Sequence, residues 1–241
     1  MKTITPLFLA VGVLAGPCSP AQDVAPLSAT TRDSSFKFRW YVAPQFPARL
    51  GWQGVTVGEV QITFELDDKG TLNDWLVTAY THQAFADATV AALQSWIFEP
   101  ARRDGKPVAS VGQITMNFER NNASLASNPA KVEDRPGRNF VYQPCEPRRL
   151  DRIPRAIRVV EPFYPRQYYV DGATGSVTLE FYVDEAGRVR VPVVTDASQD
   201  YLAATAVAAV KEWRFEPPLS RGKPVLVRVS QDFTFAPDPG K

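Results

Sequence analysis

Two pairs of neighbouring carboxylates stand out in this chain, Asp67-Asp68 and Asp184-Glu185, each followed by a glycine, Gly70 and Gly187. Adjacent carboxylates can hold a divalent cation or share a proton for acid–base work. The spacing favours a plainer role. Asp-x-x-Gly is turn chemistry, in which the aspartate accepts backbone N–H groups and the glycine takes a positive φ. The one histidine, His82, follows Thr81 at an expected helix start, where it reads as a surface or capping residue. No Ser-His-Asp set, HExxH, phosphate-binding loop or Cys-x-x-Cys spacing occurs. The sequence therefore predicts no catalytic residue, no metal site, no cofactor and no small-molecule substrate, and the protein reads as a non-enzyme. Its chemistry is expected at surfaces.

Arg148, Arg149, Arg152, Arg155 and Arg158 form a local basic cluster. It reads as part of a solvated linker, with contact to an acidic partner or anionic lipid heads as the alternative. The net charge is only +1, which argues against a nucleic-acid partner.

These groups are positioned by a repeated unit. Trp96 to Val108 reads Trp-Ile-Phe-Glu-Pro-Ala-Arg-Arg-Asp-Gly-Lys-Pro-Val, and Trp213 to Val225 reads Trp-Arg-Phe-Glu-Pro-Pro-Leu-Ser-Arg-Gly-Lys-Pro-Val. Eight of the thirteen positions match, rare residues among them, so the chain holds two copies of one folding unit. The two aromatic rings read as an anchor that fastens a helix end to a sheet. The alternative is that Glu-Pro or Gly-Lys-Pro touches a partner.

Around that stretch the periodicity is clear. Val60, Ile62, Phe64 and Leu66 alternate with polar residues, as do Val177, Leu179, Phe181 and Val183. Each predicts a strand with one apolar face. After the Asp-x-x-Gly turn a second strand follows, over 72–79 and 189–195. A helix comes next, with Phe85, Thr89, Ala92 and Trp96 on one face and, in the second copy, Leu202, Ala206, Ala209 and Trp213. A last strand closes each unit. The fold class is α+β: two tandem ββαβ modules, each a three-stranded antiparallel sheet with one helix packed on it. Chain direction favours the order second-first-last, and Pro192 in the second strand fits an edge position.

The expected organisation is a signal peptide over 1–21, a mobile mature terminus over 22–35, a first domain over 36–120, a linker over 121–156, a second domain over 157–236 and a tail over 237–241. Met1-Lys2 followed by an apolar run from Ile4 to Gly16 predicts export with cleavage after Ala21. A lipoprotein signal ending at Cys18 is the alternative, although Pro17 departs from its usual form. Removal of the signal leaves Cys145 alone, so no disulfide staples the fold.

The ordered set of Pro44-Gln-Phe-Pro47, Gly58-Glu-Val60, Asp67 to Gly70, an Ala-rich helix and Trp96 to Pro100 resembles the TonB C-terminal domain family. Pro162-Phe-Tyr-Pro165, Gly175-Ser-Val177, Asp184 to Gly187 and Trp213 to Pro217 repeat it. TonB couples the inner-membrane proton gradient to outer-membrane receptors, and its C-terminal domain binds a receptor segment by strand addition to a sheet edge. The resemblance implies a periplasmic, non-catalytic protein-binding module related to TonB-type transport, with an envelope or outer-membrane protein as partner. The implied edges are the last strands, 108–119 and 225–235, with Val108, Val111, Gln113, Thr115, Val225, Val227, Val229 and Gln231 as partner-binding residues. Two departures accompany it. Ala43 and Glu161 stand where TonB has a Gln before its first proline. The reading also expects neither a long membrane anchor nor a long proline-rich spacer ahead of the modules. Alternatives are a structural envelope protein whose copies pair with each other or in a homodimer, and a component of a TonB-like energy transducer.

Overall fold

The computed structural model describes residues 35–120, 122–126 in backbone only, 139–164 and 174–236. The export signal with Cys18, the mature terminus up to 34, the tail and the linker stretch 127–138 lie outside the described residues. Two compact units emerge, 35–145 and 146–236.

In the first unit, β1 (Lys37–Trp40) leads through a short helix α1 (Ala48–Trp52) to β2 (Val57–Leu66), β3 (Leu72–Tyr80), α2 (Gln83–Leu93) and β4 (Ile97–Glu99). A small hairpin follows, β5 (Ala101–Arg103) with β6 (Lys106–Val108), then β7 (Ser110–Glu119) and β8 (Asn122–Ala126). The second unit repeats the series with β9 (Ala156–Arg158), β10 (Gly175–Val183), β11 (Val189–Ala197), α3 (Asp200–Lys211), β12 (Arg214–Phe215), the hairpin β13 (Leu219–Ser220) and β14 (Lys223–Pro224), and β15 (Val227–Phe235). The main sheets are ordered β3-β2-β7-β8 and β11-β10-β15, all neighbours antiparallel. The second-first-last order holds in both. The first sheet adds a fourth strand that the sequence reading misses.

The apolar alternation of the central strand decides the core. Val60, Ile62, Phe64 and Leu66 are fully buried against Phe85, Ala86 and Leu93 of α2; Val177, Leu179, Phe181 and Val183 meet Leu202, Ala206 and Val210 of α3. Both helices stop earlier than expected. Leu93 and Lys211 end them, and Trp96 and Trp213 follow the cap. Each indole is nonetheless an anchor of the same kind. The Trp96 Nε1–H donates to the Val42 carbonyl and the Trp213 Nε1–H to the Val160 carbonyl, both at 2.8 Å. The next residues do not merely break the helix. Phe98 on β4 pairs with Phe38 on β1, and Phe215 on β12 pairs with Ala156 on β9.

Other repeated motifs also resolve into fold mechanics. A Cβ on Gly58 would fall 2.1 Å from the Phe85 ring, and one on Gly175 would fall 2.4 Å from Leu202. Glycine there lets the helix start close on the central strand. Across the same junction Thr81 Oγ1 accepts from the Glu59 N–H, and Ser198 Oγ from the Ser176 N–H, both at 3.0 Å. Each second strand is bulged at a threonine, Thr78 or Thr195, whose hydroxyl donates to a central-strand carbonyl.

The Asp-x-x-Gly turns dock on the Trp-x-Phe-x-Pro stretch. Gly187 has φ +76°, and its Cβ would lie 1.9 Å from the Phe215 carbonyl oxygen. Its own carbonyl accepts from the Phe215 N–H at 2.8 Å. Gly187→Ala is therefore expected to cost at least about 2 kcal/mol, from left-handed strain plus a backbone clash. Gly222→Ala, at φ +71° with nothing within 4 Å, should cost only about 1 kcal/mol. Urea midpoints of the two variants check the difference.

Asp67 acts as a turn former. Its Oδ1 accepts from the Lys69 N–H at 2.8 Å and the Thr71 N–H at 2.7 Å. The Thr71 N–H foremost holds its carboxyl below the usual range. A carboxylate depressed in the folded state adds stability above its ordinary value of about 3.9, and that contribution fades as pH falls through the folded value. Asp67→Asn keeps the acceptor oxygen and removes the charge. The gap in urea midpoint between it and the parent should be widest near neutrality and should close below about pH 4. A gap independent of pH would refute the assignment.

The stretch expected to be a linker is divided between the units. Glu119 pairs with Asn122, so β7 turns directly into β8. Val141 and Tyr142 bridge to Tyr80 at the end of β3, and the two tyrosine rings stack at 5.0 Å and 7°. Asp151 belongs to the second unit, its carboxylate accepting from the N–H groups of Arg221 and Gly222 at 2.7 Å each. Among the described residues, the polar composition that reads as loop in 139–156 supplies turns and latches.

Candidate partner-binding edges

A sheet edge binds an extended chain through its unpaired backbone groups, so the last strands are judged first by what covers them. In the first unit β8 pairs with Thr115–Glu119, leaving Ser110–Ile114 without a further ladder partner among the described residues. In the second unit β15 is in register with β10 through nine consecutive pairs, from Gly175↔Phe235 to Val183↔Val227, with no bulge. Among the described residues no strand pairs with its other side. The opposite edge, β11, is broken by a bulge in which Val191 and Pro192 face Phe181, with Val191 at φ 45°. A β-branched residue in the left-handed region and a missing N–H make that edge a poor template.

The expected site residues fall into three groups. Val111, Gln113 and Thr115 lie on β7 opposite Glu65, Thr63 and Gln61, and Thr115 already has Ala126 on its other side. Val227, Val229 and Gln231 lie on β15, but on the face turned to the core. Val227 is buried in the second core, Val229 packs against it, and Gln231 is buried with its Nε2 donating to the Asp232 carbonyl. Their backbones belong to the edge; the side chains of Val227 and Gln231 are not available to a partner. Val108 and Val225 are off the edge altogether. Val108 ends β6 opposite Ala101, and the Val225 N–H donates to the Pro218 carbonyl. The cause is the Gly-Lys-Pro turn. Asp104-Gly105 and Arg221-Gly222 take φ of 51°, 73°, 52° and 71°, which closes a two-residue hairpin, and the long strands start only at Ser110 and Val227.

Side chains that do face away from the core on β15 are Arg228, Ser230, Asp232 and Thr234, which sequence reasoning misses because it follows the apolar half of the alternation. Two of them are tied across to β10. Arg228 pairs with Glu180, and Asp232 Oδ1 accepts from the Thr178 hydroxyl at 2.7 Å.

The remaining candidates take structural roles. His82 caps α2, with Nδ1 accepting from the Ala84 N–H at 3.1 Å. Four of the five clustered arginines meet acids of their own unit: Arg148 meets Glu146 at 2.9 Å, Arg152 and Arg155 meet Glu216 at 2.9 and 3.2 Å, and Arg158 meets Glu212 at 2.9 Å. Glu216 is the glutamate of the repeated Trp-x-Phe-Glu-Pro stretch, so in this copy it latches the preceding chain.

Known proteins are similar to this chain in sequence. The profile of the family described as Gram-negative bacterial TonB protein C-terminal matches residues 42–119 and again residues 160–237. Protein TonB of Vibrio cholerae is 31% identical over 71 residues, 29% of this chain and 29% of that protein, so the chain spans under a third of that relative. The solution NMR structure of the Pseudomonas aeruginosa TonB CTD is 27% identical, covering 38% of this chain and 93% of that one, with a TM-score of 0.34. The two family matches take in more than half of the sequence and run through both copies of the turn, helix and tryptophan motifs. The chain belongs to the TonB C-terminal family and carries its domain twice in tandem.

Proposed function

We propose that this protein is a non-catalytic binding module of the cell envelope that captures an extended segment of an envelope or outer-membrane protein by strand addition, and that β15 of the second module receives it. The observation that carries this reading is the uninterrupted nine-pair register of β15 with β10, its other side unpaired among the described residues. Backbone groups along such an edge give affinity without side-chain chemistry. The first module offers a shorter edge because β8 occupies part of it, so the two copies have divided roles. A periplasmic location after export fits a partner of this kind, as does a place in TonB-type transport.

A photoreactive residue at Ser230, on the outward face of β15, tests this in intact envelopes. Cross-linking followed by mass spectrometry should recover one envelope protein at that position, and none from the same probe at Asp196 on β11. Equal yields from both edges, or no protein adduct at Ser230, would refute the reading.

A further inference from the structure

The chain that leads into the second module carries an apolar stripe that its fold does not use. Burial alternates along 154–164, apart from Arg158. Ala156, Val160 and Tyr164 pack on the second core. The positions between them face out, and with Ile153 just ahead they are mostly apolar, Glu161 excepted: Ile153, Ile157, Val159 and Phe163 are 60%, 62%, 45% and 71% exposed.

The first module supplies an internal control. Val42 accepts from Trp96 as Val160 does from Trp213, and Phe38 faces Phe98 as Ala156 faces Phe215. The two lead-in segments therefore align residue for residue. Where the second has Ile153, Ile157 and Phe163, the first has Ser35, Arg39 and Gln45, all exposed. The same fold is built with polar residues at those three places, while the first lead-in exposes Trp40 and Val42 at others. Exposed apolar residues that folding does not require mark a contact surface.

Charge selects the occupant. The run from Arg148 to Phe163 holds five arginines and two acids, Asp151 and the exposed Glu161; the Asp151 carboxylate is engaged by two backbone N–H groups. Arg152 and Arg155 share the single carboxylate of Glu216 and remain 67% and 78% exposed. Exposed ion pairs of this kind contribute little and exchange readily. A second copy of this face would set arginine against arginine. An anionic bilayer suits both halves of the pattern, with apolar side chains reaching the acyl boundary and guanidinium heads on long stems meeting phosphates. We propose that residues 149–163 form a membrane-docking surface for anionic lipid, with Ile153, Ile157 and Phe163 inserted and Arg152 and Arg155 on the headgroups. The proposal does not rest on strand capture at β15, although Tyr164, next to Phe163, packs on Phe235 at the end of that strand.

The test uses the chain from Gln22 on, which keeps every described residue and removes the apolar run near the start. It should float with vesicles of equal parts phosphatidylglycerol and phosphatidylcholine, less so as salt is raised, and not with phosphatidylcholine alone. Ile153→Ser with Ile157→Gln and Phe163→Gln should weaken binding about tenfold or more with the melting curve kept. Phe163→Gln alone gives the same readout should the triple variant unfold. No flotation of the parent chain, equal binding to neutral vesicles, or undiminished binding by the variants overturns the proposal. So does self-association lost in the variants without vesicle binding, which would assign the stripe to a second copy.

Discussion

Trp213→Ala is expected to lower the stability of the second module by about 3–5 kcal/mol. Small domains are stable by about 5–15 kcal/mol, so the loss takes a large share of the module's stability. Two losses combine. Trp213 is 1% exposed and packs between Phe215 and Phe233, so alanine leaves a cavity the size of an indole. The Val160 carbonyl also loses its donor at 2.8 Å, which releases the lead-in segment that the indole pins. Trp213→Phe separates the two terms. It refills part of the space and still leaves the carbonyl without that donor, at about 1–3 kcal/mol. Trp96→Ala should act in the same way on the first module through Val42. Denaturant curves followed by circular dichroism measure each variant, and a change below about 1 kcal/mol for Trp213→Ala would show that the indole is not the anchor.

The repeat made that anchor legible before any coordinates. Trp, Phe and Pro at fixed spacing, twice, in a chain with strict alternation in its central strands, leave few ways to bury the rings. Strand order and the edge position of Pro192 follow from direction and from the missing N–H. Three things were not legible, each for a physical reason. The start of the last strand depends on Asp104 and Arg221 adopting positive φ; Asp-Gly is usual turn chemistry, but Arg221 gives no such sign, and the short strand each turn leads into contains a proline. The fourth strand of the first sheet has a polar, small-residue sequence that reads as loop and is defined only by pairing with β7. The roles of Arg152, Arg155 and Asp151 depend on acids and N–H groups some sixty or seventy residues away, and local composition cannot foresee such latches. The candidate site was legible as a strand, but its useful side chains were not. Alternation tells which residues are apolar, and on β15 those are the ones the core has already taken.

A proline placed in β15 should abolish partner capture at one of two neighbouring positions and unfold the module at the other. Successive N–H groups along a strand point to opposite edges. Of Val229 and Ser230, one therefore donates toward β10 and the other toward open solvent, where a partner strand would lie. Proline at the inward position removes a ladder bond and places its ring against β10, so the melting temperature should fall sharply. Proline at the outward position removes a donor that the isolated module does not use. That variant should keep its melting curve within a few degrees and lose partner affinity by at least about tenfold, the loss of one edge bond plus the obstruction of the ring. Gln113→Pro in β7, set against an edge already partly taken by β8, should leave capture intact whatever it does to stability. The yield of an adduct from a photoreactive residue at Thr234, on the same outward face of β15, or direct titration once its protein is known, measures affinity, and thermal melts measure folding. If both β15 variants fold normally and both still bind, the captured segment does not lie along β15. If Gln113→Pro folds and fails to bind, the receiving edge belongs to the first module, in the part of β7 that β8 leaves open.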